Sequence, residues 1–336
     1  MTKRQGVTAK DIADACNVSQ ATVSYVINQT QGKRVSEAKR QEILQKAKEM
    51  KYFPNRSAQN IRQQKSTAIG FLCNNYGEPR LGDVLRSVTQ ILNKHGYTLI
   101  LLADYNNTNC EEILEYYYSN SISGIICAIF DMQTCATTVL EENNIPFVFL
   151  NEDGVRCNHF APKNYFEQAI RQCVQFCKDN NLQRIRYITR TIFGRRPINK
   201  YAPLKKAIED IYPEADFERI LCTVTQQTED ELWIPVKEYM DNHEFDIVIT
   251  SNHRIGMVTQ RYILSKNFEL PQRPLHICLS SLPYLRTTYP SLSSLDIPLF
   301  EMGSYAAELI FSLVNDLPFE EKNFKCQLIH GDTTKL

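Results

Sequence analysis

The 336-residue sequence has no apolar run of the roughly 18 to 20 residues that a membrane-spanning helix needs. It also has no apolar segment near its start, MTKRQGVTAKD, of the kind that directs secretion. These two absences predict a protein that stays in the cytosol and has no membrane partner. The 43% apolar and 23% charged content is ordinary for a globular protein, so wholesale disorder is excluded as well.

Several motifs that carry chemistry are missing too. The sequence contains no P-loop, no G-x-G-x-x-G, no G-x-S-x-G and no H-E-x-x-H, which disfavours an enzyme. The 11 cysteines include no C-x-x-C, and the closest pair, Cys173 and Cys177, has no paired histidine at ligand spacing. Their odd number argues against a disulfide framework. We therefore predict most of them to be small buried hydrophobic residues, and we expect no cofactor and no metal.

The charge is balanced over the whole chain but not along it. Lys and Arg together number 38, as do Asp and Glu, so the net charge is zero. Residues 1–66 hold 13 basic and 5 acidic residues, a net charge of +8, whereas residues 67–336 hold 25 and 33, a net charge of −8. A basic head, residues 1–66, therefore precedes an acidic body, residues 67–336, and the head is the part suited to a polyanionic partner.

The basic head has the residue spacing of three short helices. Thr8 is placed to cap a helix over residues 9–16, and Asn17 stands at a sharp turn, because asparagine tolerates the left-handed backbone region. Ser19 is placed to cap a second helix over residues 20–28, and a third helix follows. Three short helices with a tight turn between the first two predict a helix-turn-helix, whose second helix enters the major groove of DNA.

The second helix has an outer face that suits DNA. The amide of Gln20 can bond adenine N6 and N7, and Ala21 can contact a thymine methyl group. The hydroxyls of Thr22 and Ser24 are short enough to reach phosphates. The alternative is a three-helix interaction module whose polar face is simply solvated, but the net charge of +8 on the same segment favours DNA.

At this point the sequence resembles a known family. The stretches V-T-x-x-D-I-A, V-S-x-x-T-V-S-x-V-x-N and Y-x-P-N-x-x-A occur in the order and spacing of the lactose-repressor/purine-repressor (LacI/GalR) family of bacterial transcription regulators. The resemblance is strong over residues 7–62 and looser over the remaining chain. It implies a dimeric DNA-binding regulator located in the bacterial cytoplasm with the nucleoid.

The resemblance assigns roles to residues of the head. Gln20 and Ala21 fall on base-reading positions, and Tyr25 stands where many members have a guanine-reading arginine, which implies a different operator sequence. Lys33 and Arg34 lie in a loop that looks longer than in the lactose repressor, and they either contact phosphates or are solvated. The residues expected at the DNA backbone are Thr8, Ser19, Thr22, Ser24, Asn28, Lys33, Arg34, Asn55 and Arg56.

A hinge is expected over residues 54–66. Pro54 can start a helix there, but the short polar segment that follows cannot sustain a helix alone. In the family this segment folds when two copies pair over the minor groove, where a leucine is wedged between base steps. Ile61 falls on that position. The alternative is that Ile61 packs on the body and anchors the linker.

The body alternates apolar runs with helical segments. The runs AIGFLC, TLILLA, GIICAIF and PFVFLN form one series, and RIRYIT, RILCTV, DIVITS and HICLSS form a second. Such alternation predicts parallel sheets covered by helices on both faces. The predicted fold is thus an all-α helix-turn-helix head (residues 1–53) with a hinge helix, and an α/β body of two doubly wound, periplasmic-binding-protein-like lobes. Lobe one is expected over residues 67–164 and 297–323, and lobe two over residues 165–296 and 324–336.

Ligands of doubly wound folds bind at the carboxyl ends of the strands. The residues that we expect there, as candidate contacts of a small-molecule effector, are Asn74, Tyr76, Asp104, Phe130, Lys200, Asn252, His253 and Ser280.

Three of these positions depart from the sugar-binding members of the family. Lys200 stands in place of an arginine, His253 in place of the acidic residue of an Asn-Asp pair, and Ser280 in place of a second carboxylate. Loss of two negative charges near Arg195 and Arg196 favours an anionic effector such as a phosphorylated sugar. A neutral sugar, another ligand or no ligand at all stay open.

The function predicted from the sequence is a repressor that binds a palindromic operator as a homodimer and responds to an effector in the cleft between the lobes. The alternative is a cytosolic ligand-binding protein or enzyme on the same doubly wound fold. The C-terminal sequence GDTTKL has no leucine heptads that would assemble a four-chain bundle.

Overall fold

The chain divides into two compact units, the head (residues 1–66) and the body (residues 67–336). The structure is a computed structural model. It describes residues 7–27, 35–50, 52, 66–73, 76–102, 110–119, 121–128, 135–151, 154–157, 166–192, 200–224, 229–266, 268, 273–280 and 282–335.

Three helices form the described part of the head: α1 (Ala9–Ala15), α2 (Gln20–Ile27) and α3 (Glu37–Glu49). Asn17 has a φ of 50°, so the predicted left-handed turn between the first two helices is confirmed. The three helices enclose a small core whose buried members are Ile12, Ala13, Cys16, Val23, Val26, Ile43 and Ala47.

Lobe one of the body contains a five-stranded sheet in the order β2-β1-β3-β4-β5. Its strands are β1 (Ala68–Cys73), β2 (Thr98–Leu101), β3 (Ile122–Ala128), β4 (Phe147–Asn151) and β5 (Gly154–Cys157). Three helices connect them: α4 (Leu81–Lys94), α5 (Cys110–Ser119) and α6 (Cys135–Glu142). The first four strands are parallel, and β5 pairs antiparallel with β4.

Lobe two contains a six-stranded sheet in the order β11-β10-β9-β8-β6-β7. Its strands are β6 (Arg184–Ile192), β7 (Asp216–Val224), β8 (Ile247–Thr250), β9 (Leu275–Cys278), β10 (Ser293–Asp296) and β11 (Gln327–Ile329). Its helices are α7 (Phe166–Asp179), α8 (Tyr201–Ile211), α9 (Glu229–Asn242) and α10 (His253–Ser265). Only β11 runs antiparallel, against β10.

Helix α11 (Leu299–Val314) crosses from lobe two back to lobe one, where it packs on α4, β3 and β4. One cluster of buried apolar residues runs through both lobes, and separate clusters lie on the opposite face of each sheet. Sheets covered on both faces explain why their strands read as continuous apolar runs. The predicted fold class is confirmed.

The described cysteines are small buried residues, as predicted. Nine of them are free and buried within the part of the chain that the structure describes. Burial raises the pKa of Cys177 to about 12, and that of Cys222 to about 11, so these thiols are unreactive at neutral pH. No group of three candidate metal ligands occurs among the described side chains. No helix in the described ranges is long and apolar enough to cross a bilayer.

A buried histidine links two strands and a helix of lobe two. His276 on β9 is fully buried, its Nδ1 lies 3.0 Å from Gln260 Oε1, and its Nε2 lies 3.1 Å from Thr250 Oγ1. The amide oxygen can only accept, so Nδ1 carries the ring proton and Nε2 accepts from the threonine hydroxyl. Burial lowers the pKa of His276 to about 3, and the ring is therefore neutral in the folded body.

Acid should destabilise the body at pH values well above the pKa values of carboxylates. His276, and likewise His253 with its pKa lowered to about 3 by burial, bind protons near pH 6.5 only when unfolded. Their contribution to stability is complete above pH 6.5 and is lost as the pH falls from there towards 3. We expect roughly 1–2 kcal/mol per histidine to be lost between pH 6.5 and 5, measured by urea unfolding. His276→Gln should remove about half of this slope, and an unchanged slope would contradict the assignment.

Candidate functional site

Helix α2 presents a polar face outwards from the head. Gln20 and Ala21 are exposed, Tyr25 is half-buried, and Val23 and Val26 on the opposite face are buried in the core. The buried valines fix the rotation of the helix, so the two residues at its N-terminus face solvent. This is the geometry in which an N-terminal glutamine of a recognition helix reaches base edges.

The helix starts in the head are held by hydroxyl side chains. Thr8 Oγ1 accepts from the backbone N–H of Asp11 at 3.4 Å, and the Asp11 carboxylate accepts from the backbone N–H of Thr8 at 2.7 Å. This capping box keeps the pKa of Asp11 below its usual value, chiefly through the backbone hydrogen bond. At α2, Ser19 Oγ accepts from the N–H of Thr22 at 3.1 Å and lies 2.9 Å from Thr22 Oγ1.

In the body, a buried lysine joins the ends of two neighbouring strands. Lys200, which immediately precedes α8, is only 4% exposed. Its ammonium donates to the backbone carbonyls of Ser251 at 3.1 Å and Leu279 at 2.5 Å. These two residues follow β8 and β9, respectively, so the lysine fixes the spacing of their carboxyl ends. It lies 5.0 Å from the centre of the Phe166 ring, whose face adds a cation–π contact.

Asn252 and His253 form the start of α10 at the same edge of the sheet. Asn252 Oδ1 caps the helix by accepting from the N–H groups of Arg254 at 3.0 Å and Ile255 at 3.2 Å. His253 is therefore the first residue of α10 rather than a loop residue. The Asn252 cap satisfies backbone donors of the first turn and explains why the helix starts at this point.

A buried carboxylate from lobe one meets this helix start. Glu78 lies between β1 and α4, is 8% exposed, and accepts from Arg80 Nε at 2.7 Å. Its Oε1 lies 3.8 Å from His253 Nε2 in lobe two. Burial alone would raise the pKa of Glu78, but the nearby charges of Arg80 and Arg254 and the hydrogen bond from Arg80 keep it below its usual value, so the group is ionised. Burial and the charge of Arg80 both lower the pKa of His253, so the imidazole is neutral.

Two buried polar atoms at this edge have no hydrogen-bond partner among the described residues. They are His253 Nδ1 and Ser280 Oγ, on side chains that are 4% and 0% exposed. A buried donor or acceptor without a partner costs about 1–3 kcal/mol. Such atoms at the carboxyl end of a doubly wound sheet are suited to binding a ligand that supplies the missing partner.

Comparisons with known proteins match both units. The family model described as "Bacterial regulatory proteins, lacI family" matches residues 8–55. The ribose operon repressor of Bacillus subtilis (strain 168) is 24% identical over 321 residues, which cover 94% of each chain. The HTH-type transcriptional repressor PurR of Edwardsiella ictaluri (strain 93-146) is 35% identical over 156 residues, which cover 46% of this chain and 45% of that protein.

The head of the chain belongs to the lacI family of bacterial regulatory proteins. A solved structure of the lac repressor dimer bound to operator and the anti-inducer ONPF has the same fold, with a TM-score of 0.78 at 16% identity, covering 98% of this chain and 99% of that one. Members of the lacI family are DNA-binding transcription regulators and not enzymes, so the alternative of an enzyme on this fold is set aside.

The structure places some of the predicted site residues and not others. At the lobe-two edge it brings together Lys200, Asn252, His253 and Ser280. Tyr76 is partly exposed, but its hydroxyl donates to the backbone carbonyls of Phe71 and Leu102, which ties the turn after β1 to the end of β2. The predicted site residues that lie outside the described ranges are Asn28, Lys33, Arg34, Asn55, Arg56, Ile61, Asn74, Asp104 and Phe130.

Sequence reasoning missed Glu78 and Arg80. The candidates after β1 ended at Tyr76, because only the residues directly after the strand were considered. The signal was the pair of opposite charges in Glu78-Pro79-Arg80, which lies between a buried strand and a helix.

Proposed function

We propose that this chain is a repressor that binds a palindromic operator as a homodimer, under the control of a small molecule bound between the lobes of the body. The main support for this proposal is the exposed N-terminus of α2, where Gln20 and Ala21 lie outside the head core. The net charge of +8 on residues 1–66 supports binding to DNA. Two-fold symmetry of a dimer explains why a palindromic operator is expected.

The proposed effector is anionic, such as a phosphorylated sugar. Among the charges that most affect the pKa of His253 are the guanidinium groups of Arg80, Arg190 and Arg254 and the carboxylate of Glu78. An excess of positive charge in a buried cleft favours a ligand with a negative group. A relative whose name is ribose operon repressor supports a carbohydrate as the rest of the molecule. Such a ligand controls DNA binding only if its affinity differs between two arrangements of the body.

Selection of bound DNA from a random pool tests the proposal directly. We expect a palindromic consensus and a complex with two chains per site, and recovery of random sequences would contradict the proposal. Gln20→Ala should then weaken binding to the consensus by about 10- to 100-fold, because a bidentate base contact is lost, with little change on random DNA. Lys33→Ala is the matched control, since loss of a phosphate contact weakens binding to both and lowers the salt dependence.

A further inference from the structure

A cavity of about 400 Å³ lies where the two lobes meet the segment that crosses from one to the other. Lobe one contributes the start of α4 and the start of α11, lobe two contributes a 3-10 helix (Pro283–Arg286), and the crossing segment contributes residues 296–298. Small-molecule sites commonly have volumes of about 300–1,000 Å³. The four predicted effector contacts at the lobe-two edge are not among the described residues that line this cavity, so the cavity is a different site.

One part of the cavity lining is apolar. Leu282, Ile297 and Leu299 line it and are almost fully buried, with exposed fractions of 3%, 4% and 6%. Phe300 also lines it and is partly exposed, and the guanidinium of Arg86 lies 4.9 Å from the centre of its ring. An apolar group of a ligand would leave water on entering this part of the cavity, which favours binding.

The positive charges of the lining have carboxylate partners within the protein. They belong to Arg80, whose Nε donates to Glu78 at 2.7 Å, and to Arg286, which forms an ion pair with Asp296. Both guanidinium groups are therefore neutralised by the protein itself, which disfavours an anionic ligand in this cavity.

Negative charges are in excess in the lining. Asp83, Asp296 and Glu301 line the cavity together with only two guanidinium groups. Asp83 accepts from Arg86 at 3.0 Å, whereas the exposed carboxylate of Glu301 has neither a hydrogen bond nor an ion pair with any residue in the described ranges. One carboxylate of the lining is thus available to a ligand, and it favours a cation.

We propose that this cavity is a second ligand site, which takes an organic cation composed of an ammonium group and an apolar or aromatic group. The ammonium group has three donors and pairs with Glu301, and the apolar group lies against Leu282, Ile297 and Leu299. This ligand differs from the effector proposed above both in its place and in the sign of its charge.

Arg80 connects the cavity with the lobe-two edge. Its side chain lines the cavity and is 7% exposed, and its partner Glu78 lies 3.8 Å from His253 Nε2. Because the walls of the cavity come from both lobes, a change in the arrangement of the lobes changes the shape of the cavity. A bound cation therefore favours one arrangement and shifts the affinity for operator. This regulatory consequence rests on the proposed function, whereas the binding itself does not.

Three probes of similar size and different charge test the site in the full-length protein. Phenethylamine is the cation, 2-phenylethanol is the neutral probe, and phenylacetate is the anion. Each is titrated by calorimetry at low ionic strength, where ion pairs are screened least. We expect phenethylamine to bind about 5- to 10-fold more tightly than 2-phenylethanol, because it adds an ion pair with Glu301, and we expect phenylacetate to bind most weakly.

Two variants and a control assign the binding to this cavity. Glu301→Gln keeps the shape of the side chain and removes its charge, so the affinity for phenethylamine should fall by about 5- to 10-fold, to that of 2-phenylethanol. Phe300→Ala, at a partly exposed position, should weaken both probes by a similar factor. Glu141→Gln changes an exposed carboxylate on α6 and should have no effect. Thermal melting checks that every variant is folded.

The proposal is overturned if the three probes bind equally, if Glu301→Gln binds phenethylamine as the wild type does, or if no probe binds. Operator binding without probes is measured on the same preparations, so failure of the site and failure of the proposed function are distinguishable. Saturating phenethylamine should change the affinity for operator by about 5-fold in the wild type and not in Glu301→Gln. An unchanged affinity in the wild type would reject the link between the cavity and the arrangement of the lobes.

Discussion

Ile43→Ala should abolish specific DNA binding by the full-length protein and leave the unfolding of the body unchanged. Ile43 on α3 is completely buried among the few apolar residues of the head core. Truncation of a buried isoleucine to alanine costs about 2–5 kcal/mol, because apolar contacts are lost and a cavity stays behind. A unit of this size has little stability to lose, so the head is expected to unfold at physiological temperature.

The neighbouring residue provides the control. Leu44 is 40% exposed, and Leu44→Ala removes a similar number of atoms from the surface of the same helix. We expect it to bind operator as the wild type does. Circular dichroism melting should show loss of a head transition only for Ile43→Ala, with the main transition of the body unshifted. Operator binding retained by Ile43→Ala at 37 °C would show that α3 is not required to support α2.

The helices of the head could be predicted almost to the residue because their signals are local. Thr8 and Ser19 are caps, Asn17 has a positive φ, and the buried positions recur at helical spacing. Each of these signals acts over three or four residues, so one sequence is enough to detect them. The base-reading role of Gln20 stays a prediction, since it depends on a partner outside the chain.

The sequence analysis did not predict two strands of the body, β5 and β10, and the reason differs between them. Strand β5 has only four residues and pairs antiparallel with β4, and so short a strand leaves no clear pattern in the sequence. Strand β10 reads S-S-L-D, and its Ser293 and Ser294 are nevertheless buried. The Ser293 hydroxyl lies 2.8 Å from Thr334 Oγ1 and accepts from the N–H of Gly331 at 2.8 Å. The burial of Ser293 is thus explained by partners from the distant C-terminal segment, which sequence periodicity does not reveal.

Sequence reasoning named candidate effector contacts in both lobes, and Asn74, Asp104 and Phe130 of lobe one lie outside the described ranges. The rule that ligands bind beyond the carboxyl ends of strands led to Lys200, His253 and Ser280. It did not show that the Lys200 ammonium is bound to two backbone carbonyls, which makes it a structural link as well as a positive charge. Nor did it show Glu78, because the contact between Glu78 and His253 joins residues far apart in the chain and depends on how the two lobes meet.

The packing of α11 on α4 leads to a second prediction of large effect. Gly303 lies where the two helices cross, and a Cβ added there would lie 2.2 Å from Ser87 Oγ, 3.0 Å from the Val84 carbonyl oxygen and 3.1 Å from Val84 Cα. The last two atoms belong to the backbone of α4, so no side-chain rotation can make room for them. Gly303→Ala must therefore separate the helices, at a cost of about 1–3 kcal/mol in the free energy of unfolding of the body.

Gly82, which lies on α4, is the matched control. A Cβ at Gly82 would meet nothing within 4 Å, so Gly82→Ala should stabilise the body by about 0.5–1 kcal/mol through the higher helix propensity of alanine. The combination Gly303→Ala with Ser87→Ala removes the closest contact but not those with the Val84 backbone, so only part of the loss should be recovered. Urea unfolding at pH 7 measures all three variants. If Gly303→Ala is as stable as the wild type, the helices are not held at the separation that this crossing requires.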